Sequence, residues 1–258
     1  MYSELIIRPK ALQDKIMYPD TARSLVALAL DGTVFNPLLL NRDSHGKTIQ
    51  DKYWHEEKTN IEAALPHPPV ASFDGGKGFI RIFMLGETGR DLMAETAPIV
   101  AAKLAQHLDS AYAFSINEGK CTIEERNTPV LYSIRRMVMT KNPKKGQRYF
   151  KIPPQEVSDD IRRTIMRGLL SQARWLDENT SGRYKLHNRI PDEETLGFSI
   201  FDGEPCPVLI KDNNFAYGYS NLTFSMNLDL MGPWLAGHLR SRGYGQIRKL
   251  VLKGKSHD

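Results

Sequence analysis

The stretch Gly237-His238-Leu239-Arg240-Ser241-Arg242-Gly243-Tyr244-Gly245 is a glycine-bounded basic loop that runs straight into an apolar strand expected at 247–252. Glycine lets backbone come close to a bulky polyanion, and the guanidiniums of Arg240 and Arg242 would lie where phosphates sit. Between residues 234 and 257 there is no acid, while Arg240, Arg242, Arg248, Lys249, Lys253 and Lys255 are all present. The C-terminal segment therefore predicts a phosphate-facing surface built on a loop and a closing strand.

Working back from the loop, strands are expected at 222–230, 208–210, 198–200 and 130–140, with a basic loop at 141–146 that includes Lys144 and Lys145. Between them, 158–177 reads as a long helix, capped by Ser158 with Asp159 and Asp160 in its first turn, where the helix dipole favours acids. At 100° per residue, Ile161, Ile165, Leu169 and Leu176 gather on one side, and Arg163, Arg167 and Arg174 fall within about 40° of one another on the other. No acid is spaced to neutralise that stripe, which is either a solvated face or an RNA contact. Arg148-Tyr149-Phe150-Lys151 and Arg183-Tyr184-Lys185 put aromatics beside cations, either as stacking platforms for an unpaired base or as strand-edge anchors.

In the first half, strands are expected at 3–7, 24–30, 79–85 and 111–116. A helix over 96–108 carries Ile99, Val100, Leu104 and His107 at helical spacing, with Pro98 suited to its first turn. Residues 66–78, Pro-His-Pro-Pro and then Asp-Gly-Gly-Lys-Gly, read as a loop. A charged helix over about 47–65, part of a possible projecting insertion, completes a strand-helix-strand-strand-helix-strand order. The fold class expected is α+β: tandem ferredoxin-like (RRM-like) units over 1–128 and 129–258, with the glycine-rich loop near the C-terminus.

With 258 residues, 41% hydrophobic and 25% charged, the chain has the composition of a globular protein with room for two cores. No run approaches the roughly 18 apolar residues that span a bilayer, and the N-terminus lacks the blocks of a signal peptide, so a cytoplasmic protein without a membrane partner is expected. Cys121 and Cys206 are single and distant, which argues against a zinc site or a disulfide framework. Net charge is +5, but it is blocked: residues 141–189 hold twelve Lys or Arg against five acids, and 190–230 reverse to one against seven. Such blocks predict basic surfaces flanking an acidic one. Phosphate-binding P-loop, serine-hydrolase elbow and zinc-protease motifs are absent, and paired acids such as Glu124-Glu125 would point apart in regular structure, so no metal and no cofactor are expected.

The loop's spacing, a glycine, five residues and then glycine-aromatic-glycine entering a terminal strand, resembles that of the repeat-associated RNA-binding proteins of CRISPR systems. Within them the chain resembles the repeat-cleaving endoribonucleases, above all those of type IV systems. That resemblance implies a CRISPR RNA partner gripped at its repeat hairpin, cleavage at the 3′ base of the stem by the adjoining ribose 2′-OH without metal, and a retained product that joins other subunits of an effector complex. Gly237, Gly243 and Gly245 would admit RNA backbone, and His238, Arg240, Tyr244, Arg248, Lys249, Lys144, Lys145 and Arg148 would add to the RNA-binding set with Arg163, Arg167 and Arg174.

Many relatives supply an N-terminal histidine, yet none precedes His45 here. Arg23, at the head of the 24–30 segment, and Arg242 would neutralise the transition-state charge; a guanidinium stays protonated and cannot act as an efficient base. His45 is the nearest acid-base group in sequence. The alternative is a non-catalytic RNA-binding subunit with the same fold.

Overall fold

The computed structural model describes residues 1–33, 71–140, 149, 154–180, 184–192, 195–211, 214–238, 240 and 243–250. The first sheet opens with β1 (Tyr2–Pro9), in which Ser3, Leu5, Ile7 and Pro9 are all buried at the two-residue period of a strand with one face on a core, while Ile6 is also covered and Arg8 is exposed on the other face. β2 (Ala71–Gly76) and β3 (Phe79–Leu85) form a hairpin, and β4 (Tyr112–Gly119) closes the sheet. All pairs are antiparallel, in the order β2-β3-β1-β4. Helix α1 (Pro19–Ala29) lies between β1 and β2, and α2 (Gly86–His107) between β3 and β4. Their Ala22, Val26, Met93, Ala97, Val100 and Leu104 cover Leu5, Ile7, Ile80 and Ile82. The result is the βαββαβ order of a ferredoxin-like unit.

Three local expectations for this unit are corrected. The segment expected as a strand at 24–30 is helix through Ala29, with Leu30 as its C-cap: the run Leu25-Val26-Ala27-Leu28-Ala29 is too uniformly apolar for its period to decide. Its Ala and Leu content and Pro19 at the first helical position favour the helix that forms, with Ala22 and Val26 buried one turn apart. The loop reading of 66–78 fails at Ala71–Gly76, which pairs along β3 from Ala71↔Met84 to Gly76↔Phe79. Pro98 lies inside α2 rather than in its first turn. Both Pro98 and Ala94 are exposed, so the carbonyl that loses its helical donor can be hydrated. The charged helix expected at 47–65 lies outside the described residues.

The second unit begins with β5 (Thr122–Thr140), so the 128/129 boundary drawn from sequence falls within one strand. α3 (Pro154–Glu178) follows, starting a turn earlier than the cap expected at Ser158. The strands expected at 198–200 and 208–210 are one strand, β6 (Phe198–Lys211), in a long hairpin with β7 (Asn214–Met231). Two short strands, β8 (Trp234–Leu235) and β9 (Gln246–Lys249), complete an antiparallel sheet in the order β6-β7-β5-β9-β8. Ile161, Ile165, Leu169 and Leu176 of α3 pack on Leu222, Phe224 and Met226 of β7 and Ile134 of β5. Buried Gln172 donates to the Pro233 carbonyl (2.6 Å) and accepts from Leu235 N (3.2 Å), fastening β8 beneath the helix.

Strand, helix and hairpin thus repeat the ferredoxin-like order. Between β7 and β9, where the first unit carries its second helix, the described residues hold β8 and the glycine-rich loop. The fold is a tandem of ferredoxin-like units. No helix among the described residues is long and apolar enough to cross a membrane.

Candidate nucleic-acid interface

The glycine-rich loop lies between the two sheets. Gly237, Gly243 and Gly245 all adopt positive φ, 75°, 85° and 80°. At Gly243 a Cβ would overlap the Phe73 carbonyl oxygen and the Pro19 ring of the first unit, and at Gly245 the Ala236 carbonyl. These glycines are therefore required by the chain's own packing. Gly245 N donates to the Arg136 carbonyl (2.8 Å), Ala236 N to the Gly245 carbonyl (2.8 Å) and His238 N to the Val138 carbonyl (2.8 Å), which hang the loop from the end of β5.

Tyr244 is buried with Val138, Val208 and Ala216, and its hydroxyl reaches Asp20 Oδ2 (3.4 Å), so it anchors the loop rather than presenting a ring to solvent. Arg240 is only 3% exposed, which corrects its placement on an open phosphate-facing surface. Burial pulls its guanidinium down to about 10, still charged at neutral pH.

A narrow cleft opens beside the loop. Tyr18, Pro19 and Asp20 at the N-terminus of α1 form one wall, and Arg135, Arg136 and the Gly243–Tyr244 turn form the other. The Arg135 guanidinium sits 4.0 Å from the centre of the Tyr18 ring, and that of Arg136 at 5.9 Å. Such stacking holds a cation at the mouth of the cleft. The helix N-terminus adds the positive end of its dipole on the same side.

Arg23 occupies the next turn of α1, four residues after Pro19 and three after Asp20, hence on the same side of the helix as those two, but it does not itself line the cleft. Arg135 and Arg136 were missed in the sequence, although two adjacent arginines in the otherwise apolar run 130–140 were a readable signal. Arg242 and His45 lie outside the described residues, as do Lys144, Lys145 and Arg148.

The model of the type IV CRISPR-associated endonuclease Csf5 family matches residues 5–251. The chain belongs to that family. Its fold is similar to a solved structure described as Csf5, a CRISPR-Cas type IV Cas6 crRNA endonuclease, with a TM-score of 0.65 at 18% identity over 97% of this chain and 99% of the other. It is also similar to a crystal structure of Cas6b, with a TM-score of 0.56 at 14% identity over 97% and 100% of the two chains. No curated protein matches the sequence.

In this Csf5 family member, several expected RNA ligands meet acids that come from distant segments. Arg248 of β9 pairs with Asp74 of β2, a carboxylate whose side chain is 2% exposed. With its amide nitrogen turned toward that carboxylate, Gln246 donates to Oδ1 (3.2 Å) and Oδ2 (3.0 Å). Lys249 Nζ lies 2.6 Å from Asp229, which also meets Arg126 at 3.2 Å. The acid-free C-terminal run is thus partly neutralised by the fold, which corrects the bare basic surface expected there.

On α3, Arg163 and Arg167 are exposed and Arg174 is half-buried. Arg163 meets Asp160 at 3.8 Å, one turn back, so the stripe is not free of acids. Tyr149 packs edge-on against Tyr219, ring centres 5.9 Å apart, and Tyr184 packs against the second core; both anchor rather than display.

His187, given no partner in the sequence, holds Asp177 Oδ2 at 2.7 Å through Nδ1. Asp177 also accepts Leu186 N (2.8 Å) and His187 N (3.0 Å), pinning the turn after α3 at the end of β5 remote from the glycine-rich loop. Among the described residues no three His, Cys, Asp or Glu side chains cluster as metal ligands would.

Proposed function

We propose that this chain is a metal-independent endoribonuclease that binds the CRISPR repeat hairpin, cleaves precursor CRISPR RNA at the 3′ base of the stem and keeps the product. The contact between the glycine-rich loop and α1 carries the reading: Gly243 packs on Pro19 and Phe73 while Tyr244 reaches Asp20. Arg242 adjoins Gly243 in the chain and Arg23 follows Pro19 by one helical turn. Two arginines far apart in sequence thus belong to segments that touch, beside the further cations Arg135 and Arg136.

In the proposed reaction the ribose 2′-oxygen loses its proton and bonds to phosphorus. The bond from phosphorus to the 5′-oxygen breaks, and that oxygen takes up a proton, leaving a 2′,3′-cyclic phosphate and a 5′-OH. Arg23 and Arg242 neutralise the charge that accumulates on the phosphorane, and His45 serves the proton transfers. Guanidiniums supply charge but not an efficient base, so the two arginines without His45 would make a slow enzyme, which suits a protein that turns over once and carries its RNA into an effector complex with other subunits. Arg163, Arg167 and Arg174 contact the stem through phosphates, because the A-form major groove is too narrow for side chains.

A hairpin with a single 2′-deoxy substitution at the scissile nucleotide tests the chemistry. It is expected to bind as tightly as the all-ribose hairpin and to remain uncut, while the all-ribose hairpin gives cyclic-phosphate ends. Cleavage of the deoxy hairpin would sink the mechanism. The non-catalytic alternative draws on one observation: the described lining of the cleft offers arginines and Asp20 but no histidine. Tight binding of the all-ribose hairpin with no cut would favour it.

A further inference from the structure

A second concave surface lies on the first unit, at the end of β1 and the β2–β3 turn. Arg8, Lys10 and Lys77 line it together with Gln13, Ala111 and Tyr112, around an open depression of about 420 Å³. The three cations are exposed, and none makes an ion pair with any described residue. No acid lines it, although Asp14 is exposed next to Gln13.

Its rim is aromatic. Tyr112 and Phe114 stack with ring centres 6.2 Å apart at an interplanar angle of 19°, and they are 41% and 40% exposed. They stand on β4, the edge strand of the sheet, where register places them opposite Pro9 and Ile7. Each ring leaves about two fifths of its surface to solvent, open to a further stacking partner.

We infer that this surface is a subsite for single-stranded RNA, holding the strand that leaves the repeat stem beside the cleft. Cations that track a backbone and exposed rings on which bases stack are the two ingredients of sequence-tolerant single-strand binding. The geometry links the subsite to the cleft. Gln13 lines the surface and Tyr18 the cleft, so five residues, at most about 18 Å of chain, separate them. Along β2, Phe73 meets the glycine-rich loop and Lys77, four residues on, lines the surface, a step of about 13 Å. Lys15 and Ile16, both exposed, lie on the way. A few nucleotides bridge that gap, so a strand emerging from the cleft passes Lys15 and Ile16 to reach Tyr112. The inference rests on the endonuclease reading for the identity of the RNA.

The test compares labelled repeat hairpins, bare or carrying a single-stranded extension of about ten nucleotides on either side, within the range of known single-strand sites. Wild type, Tyr112→Ala and the double variant Lys10→Glu/Lys77→Glu are titrated at one salt concentration. All three positions are exposed, and unchanged affinity for the bare hairpin shows that the variants fold. One of the two extensions is expected to tighten wild-type binding about tenfold, the order of one stacked base with its neighbouring cation contacts, and both variants are expected to lose that gain.

Equal affinity of the wild type for bare and extended hairpins, or variants that keep the gain, would overturn the subsite and leave the endonuclease reading standing. A protein that binds neither hairpin nor the isolated extension would overturn both. If the variants lost association with another effector subunit while RNA affinity held, the face would belong to a protein and the inference would fail.

Discussion

Gly243 sits where the two units touch, and its left-handed φ of 85° combines with contacts that leave no room for a methyl group. A Gly243→Ala variant meets the Phe73 carbonyl and Pro19 and carries a left-handed penalty of about 1–2 kcal/mol besides. It is expected to lower Tm by several degrees, at roughly 2–4 °C per kcal/mol for a chain of this size, and to weaken RNA binding only through that loss.

Tyr132 makes a comparable demand inside the second core. Its hydroxyl donates to the Leu228 carbonyl (2.8 Å) and accepts from Leu230 N (2.9 Å), while its ring stacks on Phe224. Removing the hydroxyl in Tyr132→Phe orphans a buried N–H and is expected to cost about 1–3 kcal/mol by denaturant titration. Burial pushes this phenol from 10.0 up to about 12. The folded state therefore favours the neutral hydroxyl; its contribution is whole below pH 10 and is lost as pH climbs through about 12. Tyr132→Phe should remove that part of the alkaline loss.

At the scale of elements, α3 presents Arg167 without a described ion pair and Arg163 beside Asp160. If the stem lies on this face, Arg167→Ala should flatten the slope of log K against log salt by about one unit, as expected for one lost phosphate contact. Arg163→Ala should change it less, because Asp160 already competes for that cation. Equal slopes for Arg167→Ala and wild type would remove α3 from the interface.

The same helix was legible in the sequence because twenty residues of period 3.6 cannot be mistaken for a strand. α1 was not, since its apolar residues run consecutively and only Pro19 marks its start. β2 was hidden by Gly75 and Gly76, residues that usually punctuate a chain; here Gly75 makes room for Met17 and Gly76 for the Phe79 ring. The glycine-rich loop was legible as a special backbone, but not for its reason: Gly243 answers to Phe73 and Pro19, some 170 and 220 residues away in the chain, and Gly237 to Val138. The acids that neutralise Arg248 and Lys249 were equally invisible, because Asp74 and Asp229 reach them only through tertiary pairing.

At the scale of the whole molecule, the two units are clasped beside the cleft by Arg248 and Asp74. Removing either partner is not equivalent. Arg248 is 41% exposed at its side chain and can hydrate when Asp74 is lost, whereas Asp74 is 2% exposed and would keep a buried charge with Arg81 at 3.9 Å and Gln246. Arg248→Ala should therefore destabilise more than Asp74→Ala, by on the order of 2–3 kcal/mol in thermal or denaturant unfolding. The reverse order would contradict this account of the clasp.

That clasp matters because the proposed reaction needs α1 and the glycine-rich loop held together. The most direct test is single-turnover cleavage of the repeat hairpin in EDTA by wild type, Arg23→Ala and Arg242→Ala, with hairpin affinity measured alongside. Wild type is expected to give one cut at the 3′ base of the stem, and each variant to bind within a few-fold of wild type yet cut on the order of 10²–10³ times more slowly, as when one transition-state donor is removed. Cleavage by both variants at the wild-type rate, or a hairpin bound tightly by wild type and never cut, would contradict the account.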